Sequence, residues 1–99
     1  MGQYAECVEV LERLKSRRIL APAVFSLLGI AYDRLGRFDD ASLNLKEAVS
    51  ADPNDETHYL NLAALRAHFA EHELAIQAIT AGIQLLPQAY RLYLSLIHI

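Results

Sequence analysis

The sequence predicts an all-α fold, an antiparallel helix-pair solenoid, and two observations carry that expectation. The first is self-similarity at an offset of 34: Phe25 recurs as Tyr59 and Tyr93, Leu28 as Leu62 and Leu96, Leu45 as Leu11 and Ile79, and Pro53 as Pro87. Small residues keep the same register, with Gly29 answering Ala63, Ala41 answering Cys7 and Ala75, and Ala48 answering Leu14 and Gly82. A period of this size marks stacked repeats, each a supersecondary unit that buries its apolar face only against its neighbours. The second observation is apolar spacing near 3.6 inside each copy, as in Phe25, Leu28, Ala31, Tyr32 and Leu35, which draws one apolar stripe along a helix. With 99 residues, 54% of them hydrophobic, the chain suits one domain with a continuous core if the helices stack.

The first element is a helix from Ala5 to about Lys15, with Cys7, Val8, Leu11 and Leu14 on its apolar face. Because GQYAEC at 2–7 aligns with GRFDDA at 36–41, the chain is expected to open at a turn inside a repeat and to carry only that repeat's second helix, over 1–21. Val8, Leu11 and Leu14 should then be partly exposed. Cys7, standing where the other copies have Ala41 and Ala75, is expected to be a small buried thiol.

Pro22 suits the first turn of the next helix, where its missing N–H would be unpaired anyway. Gly36 ends that helix, since a left-handed backbone costs a glycine little. A second helix follows from Asp39 to Ala51, with Asp39 and Asp40 near its positive end. Pro53 stops it, and Asn54 or Asp55 is available as the next cap. The same pattern predicts helices near 56–69 and 72–85, although Arg66 replaces an aromatic and His72 stands where Tyr4 and Phe38 stand elsewhere. Packing at that turn should be looser than in the copy before it. A further first-type helix begins around Gln88, with Tyr93 in the aromatic position. The expected units are therefore 1–21, 22–55, 56–89 and 90–99. The ending LSLIHI resembles the translation of a transposase-end sequencing adapter and is expected not to be native; the other reading is a genuine apolar helix end, with Leu96 in register. With the missing first helix, this leads to the expectation of a fragment of a longer repeat protein.

Twelve acidic and nine basic residues give a net charge of −3, which argues against a nucleic-acid surface, where clustered Lys and Arg supply most of the affinity. Arg13, Lys15, Arg17 and Arg18 fall at the end of a helix, where cations offset its dipole. No stretch approaches the 18 or more apolar residues of a membrane span, and no basic region followed by an apolar core opens the chain. His68, Glu71 and His72 spell H-x-x-E-H, the pattern of inverted zinc peptidases, but they straddle a predicted turn and lack a third ligand, so no metal is expected. His58 and His98 add no ligand set in this reading. Gly2, Gly29, Gly36 and Gly82 read as repeat punctuation, so no phosphate loop is seen. The serines at 16, 26, 42, 50 and 95 lack a motif that would set a base beside them. No catalytic residue and no cofactor are expected.

Phe25, Leu28, Gly29, Tyr32, Ala41, Leu45, Ala48 and Pro53 meet the pattern W-x2-L-G-x2-Y…A-x3-F…P, and on these residues the sequence resembles the tetratricopeptide repeat family. The resemblance implies a right-handed superhelix whose first helices line a concave groove for extended peptides or partner helices. It maps that groove onto Ser26, Leu27, Ile30, Asp33 and Arg34 in one first helix. In the next it maps it onto Thr57, Leu60, Asn61, Ala64 and His68, and beyond that onto Arg91. For Leu27, Ile30 and Leu60 a second reading stays open, packing against neighbours outside the chain. Members that clamp acidic chaperone tails place Lys and Asn on one first helix, Asn on the next and two basic residues on a third. Only Asn61 and Arg91 match in kind, while Ser26 and Ile30 take the first pair's places, so tail capture is not expected. The expected role is non-catalytic protein interaction, with a protein or peptide partner, no nucleic acid, no membrane, and self-association through uncapped ends. The alternative is a spacer or recruiting segment of a larger enzyme.

Overall fold

The computed structural model describes residues 2–98, and over these the chain is six helices: α1 (Gly2–Ser16), α2 (Pro22–Arg34), α3 (Phe38–Ala51), α4 (Glu56–His68), α5 (His72–Leu85) and α6 (Tyr90–His98). Among the described residues there is no strand. Each helix packs on the next, and the alternate helices α2, α4 and α6 also touch in sequence. This makes a ribbon of 35 × 26 × 17 Å. Its core is one contiguous cluster that runs through Leu28, Leu45, Leu62, Ile79 and Leu92.

The residues paired by the 34-residue offset are the ones that pack. Leu28, Ala41, Ala48, Ala75 and Ile79 are fully buried, and Leu45 is nearly so. Gly29 and Gly82 mark close approaches. A Cβ on Gly29 would collide with the Leu45 side chain, and one on Gly82 would lie 2.8 Å from the Tyr59 ring and 2.9 Å from Leu92. The aromatic position carries a further tie. The Tyr59 hydroxyl donates to the Pro53 carbonyl at 2.8 Å, and Tyr93 repeats this to Pro87 at 3.0 Å.

Helix ends follow a rule too. After α2 the amide of Arg37 bonds the Tyr32 carbonyl at 2.9 Å, and after α4 the amide of Glu71 bonds the Arg66 carbonyl at 2.7 Å. This closure needs a left-handed residue just before the donor, and Gly36 (φ 75) and Ala70 (φ 61) supply it. The α1 end closes likewise, Ile19 to Leu14 at 3.0 Å behind Arg18 (φ 65). The α3 and α5 ends instead leave without a left-handed residue, at Asp52 (φ −145, ψ 74) and Leu86 (φ −127, ψ 67).

Two expectations are corrected. Gly2 is the first residue of α1, so the helix starts before Ala5, and no turn like that at Gly36 forms. A left-handed glycine is required only where one helix must stop before the next, and no described helix precedes Gly2. Cys7 is exposed, because Ala41 and Ala75 are buried by the first helix of their own pair and α1 has none beside it. Tyr93 is 44% exposed although its counterparts Phe25 and Tyr59 are buried, since within the chain no second helix follows α6 to cover that face. Val8, Leu11 and Leu14 are partly exposed, as the unpartnered stripe required. Of the LSLIHI ending, residues up to His98 continue α6, with Leu94, Leu96 and Ile97 exposed, and Ile99 lies outside the described residues.

Candidate interaction surface

The first-type helices α2 and α4 lie side by side, and residues of α2 border three open hollows. One, of ≈640 Å³, lies between α1 and α2 and is walled by Leu27 and Ile30 against Tyr4, Cys7, Val10 and Leu11. A second, of ≈360 Å³, is lined by Ile30, Asp33, Arg34, Asn61, Ala64 and His68. A third, of ≈480 Å³, takes in Ser26, Leu27, Asp52, Asp55, Thr57, His58 and Asn61. Leu27 and Ile30 thus join the first hollow to the others, and Asn61 lies between the second and third. Leu27 is 52% and Ile30 38% exposed. Leu60 behaves differently, being partly buried against the core. Arg91 stands apart on α6, where it donates to Glu56 at 3.1 Å.

Polar contacts fix the relation of neighbouring first helices. His68 Nδ1 is 2.9 Å from Asp33 Oδ1, joining the end of α4 to the end of α2. Glu56 and Arg91 do the same at the start of α4. His68 closes α4 and His72 opens α5 on the other side of a left-handed turn, so the H-x-x-E-H histidines share no helix face. Arg66 takes the place of the aromatic Tyr32 by donating to the Leu74 carbonyl at 3.1 Å, and burial lowers the pKa of its guanidinium. Tyr32 instead donates to Glu12 of α1 at 3.2 Å, with burial and then the Glu12 charge raising the phenol's pKa. At the turn between α4 and α5 His72 is exposed, whereas Phe38 is partly buried, its ring 4.6 Å from Phe69.

The structure also assembles a cluster that the sequence reading set aside. Ser26 does have a base beside it: its Oγ is 2.9 Å from His58 Nδ1, and both residues are buried. His58 Nε2 faces Asp55 Oδ2 at 3.7 Å and Asp52 Oδ2 at 3.9 Å. Asp55 caps α4 through its other oxygen, Oδ1, which accepts from the Thr57 amide at 2.9 Å. That backbone N–H holds the Asp55 carboxyl below the usual aspartate range. The signal present in the sequence was the spacing Asp-x2-Asp-x2-His across a helix start, but the serine partner, 32 residues away, was not visible in the repeat alignment.

A stack of helix pairs with a lined inner face and no strand among its described residues is a helical-repeat architecture. Residues 22–65 match the model of the tetratricopeptide repeat, and the succession of helix pairs supports a place in that repeat family, a class of repeat that serves protein–protein interaction. Over 66 residues, 67% of the chain, it is 30% identical to the rhomboid protease GluP of Bacillus subtilis (strain 168). That stretch covers 13% of the relative's length. Among the described residues no helix is long and apolar enough to cross a membrane.

Proposed function

We propose that the chain is a non-catalytic interaction scaffold that holds an extended peptide or a partner helix along the inner face of α2 and α4. The units are 22–55 and 56–89, flanked by a lone second helix and a lone first helix. One observation carries the reading: Leu27 and Ile30 stay exposed on the inner face, with the Asn61 amide between two of the hollows they border. Such a face buries apolar side chains of a ligand while an amide bonds its backbone. Burying a leucine-sized side chain contributes about 1.5 to 3 kcal/mol, whereas an exposed ion pair to Arg34 gives at most about 1 kcal/mol, so apolar contact dominates and binding tolerates salt.

The test is to pan a random peptide library against the full chain and to measure the selected peptides against Leu27→Asp and Asn61→Ala. Loss of at least about tenfold in affinity in both variants, with little change between low and moderate salt, is expected. Peptides that bind both variants unchanged, or that dissociate in moderate salt, overturn the reading. A second reading rests on the likeness to a protease over two thirds of the chain: the array recruits substrates or partners for a catalytic domain elsewhere in a larger enzyme. It uses the same groove, and it is distinguished by fusing the chain to a protease and asking whether cleavage of peptide-tagged substrates rises.

A further inference from the structure

We propose that the α3–α4 turn and the start of α4 form a site for a borderline divalent transition-metal ion such as zinc, with His58, Asp52 and Asp55 as ligands. Each residue offers one donor atom, and the three donors lie within 4.8 Å of one another. The imidazole is the informative member. Its side chain is 8% exposed, and Nε2 makes no hydrogen bond, since its carboxylate neighbours at 3.7 and 3.9 Å are beyond the roughly 2.7–3.2 Å of such bonds.

Nδ1 is held by Ser26. A hydroxyl can accept as well as donate, and when Nδ1–H donates to Ser26 Oγ the Nε2 lone pair is left pointing at two carboxylates. In that tautomer a cation between them would satisfy all three groups, whereas with Ser26 donating to Nδ1 the Nε2–H itself would face the carboxylates. Metal-bound histidines are oriented in this way, through a hydrogen bond on the other ring nitrogen. Zinc donors at about 2.0–2.2 Å in a tetrahedron stand roughly 3.3–3.6 Å apart. The set therefore closes on an ion by drawing in the two aspartates, which are about half exposed, each a few tenths of an ångström toward His58 and up to about an ångström toward each other.

Local electrostatics agree. The positive end of α4 would oppose a cation, but the negative end of α3 meets it at Asp52, so the two half-charges offset each other and the two carboxylates decide the field. Asp55 turns Oδ2 to His58 while Oδ1 keeps the Thr57 cap, so coordination leaves the helix start intact. An imidazole with two carboxylates suits zinc or a neighbouring first-row ion, whereas calcium and magnesium prefer all-oxygen shells. Three protein ligands leave a fourth position, open to the hollow lined by Leu27, Thr57 and Asn61.

The test is calorimetric titration of zinc into the full chain, with cobalt(II) absorption as the reporter of coordination. The expected result is one ion per chain and intense cobalt bands of low coordination number. Asp52→Asn and His58→Gln should each weaken binding by at least about tenfold, and Ser26→Ala by about 10-fold or more through the freed ring. Cys7→Ser and His68→Ala should change nothing. Should His58→Gln unfold, Asp52→Asn, a half-exposed position, decides the question alone. No zinc binding, binding unchanged in Asp52→Asn, or binding lost in Cys7→Ser or His68→Ala overturns the proposal.

Discussion

Ala70 carries a conformation that its counterpart Gly36 was expected to need. Both sit in the left-handed region at the end of a first helix, where a side chain costs about 1–2 kcal/mol. Ala70→Gly should therefore stabilise the fold by about 0.5–1 kcal/mol after the glycine's greater unfolded entropy is subtracted, read as a rise in the urea midpoint. The reverse logic holds at Gly82, where alanine would gain about 1 kcal/mol of helix propensity but drive its methyl into Tyr59 and Leu92. Overpacking costs about 1–3 kcal/mol, so Gly82→Ala should be destabilising or at best neutral, and a clear gain in thermal stability would refute the contact. Buried positions such as Leu28 and Ile79 were legible because each copy restates them. The pairing of Ser26 with His58 was not, because side chains on adjacent first helices meet at offsets of 32 and 35, not at the alignment's own 34. Contacts across the stack are displaced from the period that reveals it.

At the level of helices, the boundaries of α3, α4 and α5 lay within a residue or so of those expected, since Pro53, Gly36 and the acidic first turns mark them directly. The faces were harder to read. The uncovered stripe of α1 was legible from the alignment at 2–7, but its polar ties were not: the helix contains no buried residue, while Lys15 reaches Asn44 of α3 at 3.1 Å and Glu12 accepts from Tyr32. Hydrogen exchange should accordingly be fastest in α1 and α6 and slowest in α3 and α4, because local opening is easiest where few apolar contacts close it. Uniform protection across all six helices would contradict this. The start of α4 has a side-chain cap and those of α3 and α5 do not, so Asp55→Ala should lower stability by about 1 kcal/mol, measured by denaturant unfolding in chelator.

For the whole molecule, stability is a sum of helix-pair and interface contributions, and uncovered ends are its weak terms. α1 presents Tyr4, Cys7 and Val10, while α6 presents Tyr93, Leu94 and Ile97. One end is a second-type helix and the other a first-type helix, so contact between copies would be head to tail and would build chains or rings instead of a two-fold dimer. Sedimentation should show mass that keeps growing with concentration instead of stopping at a dimer, and Val10→Lys should suppress it. A sharp monomer at high concentration would reject this. The two cross-stack polar contacts have a mechanical consequence. Asp33–His68 and Glu56–Arg91 bridge successive first helices at opposite ends of α4, on partly exposed side chains worth at most about 1 kcal/mol each. They behave as weak struts, so the curvature of the inner face is elastic, and loosening a strut softens the bend without melting a helix. Arg91→Ala or added salt should broaden the distance distribution between spin labels on α2 and α6 while helicity stays constant, and a ligand lying across both steps would stiffen the array like a splint.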